Sequence, residues 1–236
     1  MRWLVLAALV LVAGCGGEER LKVSAAASLK QALTAYDAEA RYSFAGSDEL
    51  AAQIRQGARP DVFASANTKL PDELHAEGLV ERPVTFAGNR LVLAVPASGS
   101  PVASLRDIER EGVTLAIGSE SVPIGSYTRT VLSRLPEGTS SAILRNVRSE
   151  EPDVAGIVGK LTQGAVDAGF VYLSDVRGAG GRLKAIELPD SLQPSVAYGV
   201  AVVKDSAKAR AFVGGLTGED GRRALEAAGF EPPPAQ

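Results

Sequence analysis

Histidine, cysteine, methionine and tryptophan each occur once in this chain, and their scarcity removes several chemistries together. A zinc or copper centre needs several imidazole or thiolate ligands, which one His and one Cys do not supply. A Ser-His-Asp triad would have to use His75, which stands in a polar, helix-like stretch that reads as solvated surface. No G-x-S-x-G elbow is present. The glycine run Gly178-Ala179-Gly180-Gly181 precedes a strand instead of bridging a strand to a helix, so it reads as a turn and not a dinucleotide loop. The 156–160 stretch is followed by Leu161 where a phosphate loop needs Ser or Thr. Excess basic charge is missing too. A net charge of -3 and a pI near 5.4 argue against nucleic acid as a partner.

Long apolar runs are confined to the N-terminus. Arg2 is followed by an apolar stretch over 3–13, short of the roughly 20 residues that span a bilayer. It ends in Leu11-Val12-Ala13-Gly14-Cys15, which resembles the lipobox of bacterial lipoprotein signal peptides. That resemblance implies a signal peptide over 1–14, cleavage before Cys15, lipidation of Cys15, and a flexible tether over 15–20. Several acyl chains on one residue give stable anchoring where a single chain does not. The expected location is therefore extracytoplasmic, on the periplasmic side or cell surface, lipid-anchored to the membrane. The alternative is an ordinary secretory signal with an incidental cysteine.

What is present is an ordinary globular composition, 45% hydrophobic and 22% charged, enough to bury a core. Short β-type runs alternate with helical patterns along the chain. Strands are expected over 21–26, 41–45, 61–65, 90–95, 113–117, 167–172, 183–188 and 198–203. Helices are expected from 29, over 48–56, 70–76, 105–109, 127–135, 152–163, 207–216 and 220–228, with 232–234 as an unstructured end. This alternation predicts an α/β fold with a largely parallel sheet. The runs Leu91-Val92-Leu93-Ala94-Val95 and Gly199-Val200-Ala201-Val202-Val203 bracket the middle of the chain. A chain crossing once into a second lobe and once back would hinge near them. Lobe one would then comprise 21–92 plus 199–236, and lobe two 93–198.

Small or hydroxylated residues collect where strands run into helices. Ser28 and Ser47 each follow a strand, Pro123-Ile124-Gly125 leads into a helix, and Val154 lies in the first turn of another. First-turn N–H groups have no intrahelical acceptor and sit at the positive end of the helix dipole, so an anion suits them. Tyr172 stands at the C-terminal end of its strand, the side on which open α/β sheets bind ligands. Each residue also suits a structural role. Ser28 and Ser47 could be plain N-caps, and Tyr172 a core ring with a hydrogen-bonded hydroxyl.

The ordered set of motifs narrows the choice. Ala25-Ala26-Ala27-Ser28-Leu29, Phe44-Ala45-Gly46-Ser47 and the run from Pro60-Asp61-Val62 to Asn67 resemble the molybdate-binding proteins of bacterial ABC transporters. So do Asn89 to Pro96, Val122-Pro123-Ile124-Gly125-Ser126-Tyr127 and Ala168-Gly169-Phe170-Val171-Tyr172. The resemblance implies a two-lobed periplasmic-binding-protein fold of type II, each lobe a mixed, mainly parallel sheet flanked by helices. It implies a tetrahedral oxyanion, molybdate or tungstate, held by hydroxyl and backbone N–H of Ser28 and Ser47. Backbone N–H groups of Ile124 and Val154 and the phenol of Tyr172 complete the implied site. The family often has Ala at position 124 and Ser at position 46. No cofactor, no cationic metal and no catalytic activity are expected. The partners implied are an ABC permease and the membrane, with the chain itself a monomer. The alternatives are a binding protein for sulfate or phosphate, a secreted hydrolase on a similar scaffold, or a sensor or adhesion lipoprotein.

Overall fold

The computed structural model describes residues 19–235. The expected signal peptide and Cys15 lie outside the described residues. The described residues form two five-stranded mixed sheets flanked by helices, with strands β1 to β10 and helices α1 to α9 in chain order.

The first sheet has the order β2-β1-β3-β10-β4. It contains β1 (Lys22–Ala26), β2 (Arg41–Ala45), β3 (Val62–Ser65), β4 (Val84–Asn89) and β10 (Val196–Val202). The second has the order β7-β6-β8-β5-β9. Its strands are β5 (Leu91–Pro96), β6 (Leu115–Gly118), β7 (Val147–Glu151), β8 (Ala168–Tyr172) and β9 (Leu183–Glu187). The two sheets repeat one plan. Strand β1 pairs parallel with β2 and β3, while β10 runs antiparallel to both β3 and β4. Likewise β6 pairs parallel with β7 and β8, and β5 runs antiparallel to β8 and β9. In each sheet one strand alone is reversed, and it lies next to the place where the chain changes sheets. The chain leaves the first sheet at Arg90 and re-enters it at Val196.

These crossings are tied together. Arg90 pairs with Glu187 and Asp190, the Asn89 amide donates to Ser174 Oγ at 2.8 Å, and Gln193 Nε2 donates to Leu91 O at 2.9 Å. The exposed ion pairs add little, whereas the buried Asn89–Ser174 bond is of the kind that fixes geometry.

The helices that matter for the site follow β2, β6 and β7. They are α2 (Ser47–Arg55), α4 (Pro123–Ser133) and α6 (Val154–Thr162). After β1 comes a 3₁₀ turn, Ala27–Leu29, that leads into α1 (Lys30–Tyr36). Helix α3 (Lys69–Ala76), α5 (Glu137–Arg145) and α7 (Leu173–Gly178) complete the flanks with α8 (Ala207–Thr217) and α9 (Glu219–Ala227). Helix α4 begins earlier than the spacing predicted, because Pro123 takes the first helical position, where its missing N–H costs nothing. Strands β4 and β7 and helices α5 and α7 go beyond the sequence expectation. Strand β7, Val-Arg-Ser-Glu-Glu, is a polar edge strand whose residues are exposed or only partly covered, so it carries no apolar run. Helix α7 has only 6 residues, too few to show a periodicity.

Candidate functional site

The residues that line the cavity between the sheets all come from the carboxyl ends of strands or the junctions that follow them. The end of β1 delivers Ala26, Ala27 and Ser28; the end of β2 delivers Ala45, Gly46 and Ser47; the end of β3 is followed by Ala66. From the other sheet, β6 leads to Val122, Pro123 and Ile124, β7 to Asp153 and Val154, and β8 ends on Tyr172. These residues line one small cavity, with about 20 Å³ open to the centre of a water-sized sphere. All of Ser28, Ser47, Ile124, Val154 and Tyr172 are among them.

The structural readings of the serines do not hold. Ser47 is the first helical residue of α2, Gly46 holds the cap position, and no side chain caps that helix. The Ser47 hydroxyl instead accepts the Ala66 N–H at 3.0 Å across the sheet. A hydroxyl has one proton and two lone pairs, so this bond leaves the Ser47 proton available. Ser28 does not cap a helix either, and its Oγ lies 3.0 Å from the Tyr198 hydroxyl. Tyr172 departs from its structural reading as well. The residue is 1% exposed, and among the described residues its hydroxyl has no hydrogen-bond partner. Leaving a buried phenol unpaired costs about 1–3 kcal/mol, so an acceptor in the cavity that it lines accounts for it best.

Three helices aim their N-termini at the same space. Ser47 begins α2, Pro123 and Ile124 begin α4, and Val154 begins α6. Close packing of α4 on β6 depends on Gly118, where a Cβ would lie 2.6 Å from the Ile124 side chain. No lysine or arginine lines the cavity among the described residues. The positive field comes from N–H groups and helix ends alone.

Two acidic side chains lie close by, and both went unnoticed in the sequence. Asp153 lines the cavity and caps α6, its carboxylate accepting the Gly156 N–H at 2.9 Å. Asp175, part-buried in α7, accepts the Tyr172 N–H at 3.0 Å. Burial pushes the Asp175 carboxyl up to about 7, against the pull of the Tyr172 N–H and with help from the charge on Asp153. Burial also holds the Tyr172 and Tyr198 phenols well above their ordinary range, so both keep their protons. His75 is exposed in α3, with its ring 3.0 Å from Val80 O.

An architecture of two such sheets has counterparts among known proteins. Residues 12–231 match the bacterial extracellular solute-binding protein family. The molybdate-binding protein ModA of Mycobacterium tuberculosis is 35% identical, with 99% of this chain and 100% of that protein covered. The chain belongs to this solute-binding family. Among solved structures, the periplasmic molybdate-binding protein of Azotobacter vinelandii superposes with a TM-score of 0.79 at 23% identity, covering 91% of this chain and 100% of that one. The sulfate-binding protein SubI of Mycobacterium tuberculosis gives 0.75 at 16% identity, covering 90% and 86%. At those identities the two structures speak for the fold alone. The relatives of this solute-binding protein are binding proteins, not enzymes, and among its described residues no helix is long and apolar enough to cross a membrane.

Proposed function

We propose that this protein is the extracytoplasmic solute-binding component of an ABC importer and that it captures molybdate or tungstate between its two lobes. The observation that carries this reading is the unpaired Tyr172 hydroxyl in a cavity lined by Ser28, Ser47 and the first turns of α4 and α6, with no lysine or arginine among its described lining residues. The donors would be the hydroxyls and N–H groups of Ser28 and Ser47, the N–H groups of Ile124 and Val154, and the Tyr172 phenol. The lobes meet at the two crossings, Arg90 and the 188–195 segment, and closure about these traps the ion and forms the surface that a permease reads. Cys15 anchors the chain to the membrane through lipid, the protein acts as a monomer, and it has no catalytic activity.

Neutral donors suffice on energetic grounds. Removing an ion from water costs on the order of 20 kcal/mol in the Born limit, and more for a dianion, though relaxation lowers the effective figure to several kcal/mol per charge. Hydrogen bonds to a charged group return about 1.5–3 kcal/mol each, so this donor set returns roughly 10–20 kcal/mol. Each helix terminus adds up to ~2 kcal/mol. The same design selects. A protonated phosphate brings an O–H into a cage of donors, where it opposes an N–H. Sulfate has the right charge and shape but is smaller, so some donors fall short of it. One lost charged bond corresponds to a roughly ten- to hundredfold loss of affinity.

The fold shared with a sulfate-binding protein makes another oxyanion the second reading. A hydrolase is disfavoured, because Ser28 faces a phenol that keeps its proton and Ser47 faces a backbone N–H. The deciding experiment is calorimetric titration of the soluble chain, starting after Cys15, with molybdate, tungstate, sulfate and phosphate. Tight one-to-one binding of the first two, with little heat from the others, is the expected outcome. Preferential sulfate binding would replace the substrate, and silence from all four would remove the site.

A further inference from the structure

Tyr198 is 0% exposed and sits in β10, on the first sheet, beside the register shift between Tyr198 and Gly199. Bulges of this kind re-aim the neighbouring side chain. Here the ring is wedged edge-on against Phe86 and Phe230, from its own lobe, and against Tyr172, from the other, with Tyr172 centred 5.8 Å away. Its hydroxyl lies 3.0 Å from Ser28 Oγ.

The direction of that hydrogen bond follows from counting protons. A buried phenol has one proton to place, and Ser28 Oγ is the acceptor at hand. Were Ser28 to donate instead, its own proton would be spent on the phenol, and the Tyr198 proton would be left to the Tyr172 hydroxyl or the Asn89 side chain, its other close polar neighbours. With Tyr198 donating, Ser28 is fixed as an acceptor on one side, and its own proton is free to turn into the cavity that it lines. Donation into Ser28 also polarises the Ser28 O–H, strengthening the bond that it gives.

We propose that Tyr198 is a positioning residue for anion capture: it donates to Ser28 Oγ and so aims the Ser28 hydroxyl at the bound oxyanion. The proposal rests on the functional reading above. Because the Tyr198 ring also braces Tyr172, one side chain sets donors that the two lobes contribute separately. Burial, which keeps the Tyr198 proton in place, serves the same end.

The test is a double-mutant cycle read by calorimetric titration of molybdate. Four proteins are compared: the unmodified chain, Tyr198→Phe, Ser28→Ala, and the double variant. Phe keeps the three ring contacts, and thermal unfolding without molybdate checks that it does. Tyr198→Phe should weaken molybdate binding about tenfold, yet change it by less than about twofold once Ser28 is Ala. Equal losses in both backgrounds would show that Tyr198 does not act through Ser28, and no loss in either would remove its role; both outcomes overturn the proposal. If the unmodified chain takes up no molybdate, the functional reading fails, and this proposal falls with it. Should Tyr198→Phe fold poorly, the unmodified chain labelled with ¹³C at tyrosine Cζ gives 5 signals to follow. The Tyr198 signal should shift on molybdate addition, and a stationary signal overturns the proposal.

Discussion

Gly46 of the β2–α2 junction packs against the carbonyl oxygen of Pro152, which belongs to the β7–α6 junction of the other sheet. A Cβ at position 46 would overlap that oxygen and lie 2.8 Å from Asp48 Oδ1. The glycine is not needed for its backbone, since its φ of -60° and ψ of 137° suit any residue. It is needed for the approach of the two lobes beside the cavity. Gly46→Ala should therefore weaken molybdate affinity by about tenfold or more, because a gap of even a fraction of an ångström shortens no bond but lengthens several. The unliganded thermal midpoint should stay within a few degrees, since no backbone strain is introduced. Small-angle scattering with saturating molybdate would check the cause: the variant should stay more open than the unmodified chain. Equal affinity and equal compaction would show that the contact does not limit closure.

Tyr172→Phe separates a binding role from a structural one. The Tyr172 hydroxyl is buried and unpaired, so deleting it relieves a desolvation cost instead of breaking a bond. The unliganded variant should melt at the same temperature or a few degrees higher, while molybdate affinity falls about tenfold. A lowered midpoint with unchanged affinity would make Tyr172 a core ring only.

Much of this was legible from local pattern. The strand-to-helix junctions are local, so Ser28, Ser47, Ile124 and Val154 could be picked out by what surrounds them in the sequence, and Tyr172 by the end of its strand. Tyr198 could not. It reads as one more residue of an apolar strand, and its partner Ser28 is 170 positions away. No periodicity encodes a hydrogen bond between distant side chains. Asp153 did carry a local signal, an aspartate three residues before Gly156 at a helix start, but that signal speaks of capping and not of proximity to a cavity. Strand β7 was missed because edge strands are selected for polarity, which erases the pattern that reveals inner strands. Asp175 was missed for a similar reason: the helix that carries it is a single short stretch of 6 residues.

Ser47→Ala should cost both binding and stability, in contrast to Tyr172→Phe. The Ser47 hydroxyl accepts the N–H of buried Ala66, so its removal strands that donor. The expected destabilisation is about 1–3 kcal/mol, with a fall in the thermal midpoint of several degrees. Molybdate affinity should fall roughly ten- to hundredfold, since a charged hydrogen bond is lost and its neighbour is disturbed. Ser47→Thr, which keeps the hydroxyl, should restore most of the stability. A variant that melts normally would contradict the Ala66 bond, and one that binds normally would remove Ser47 from the site.

The acidity of Asp175 gives the site a pH dependence whose sign can be worked out. Its carboxyl is pushed up to about 7, so it is largely neutral below that pH and charged above it. Above pH 7 the dianion meets two nearby carboxylates, Asp153 and Asp175; below it, Asp175 has taken a proton and one repulsion is gone. Molybdate remains a dianion through this range. Affinity should therefore rise as pH falls from about 8 to 6, by at most roughly tenfold per unit, because one group titrates. Binding near neutrality should take up protons, visible as heats that depend on the ionisation enthalpy of the buffer. The stability linkage runs the same way. An unfolded aspartate titrates at about 3.9, so between there and 7 the folded state holds the proton more firmly, and the unliganded protein loses stability as pH rises through that window. Asp175→Asn should flatten both profiles and bind at pH 8 as tightly as the unmodified chain does at pH 6, provided that its amide still accepts the Tyr172 N–H. A slope that persists in Asp175→Asn would assign the titration to another group, and a flat profile in the unmodified chain would place Asp175 too far from the anion to matter.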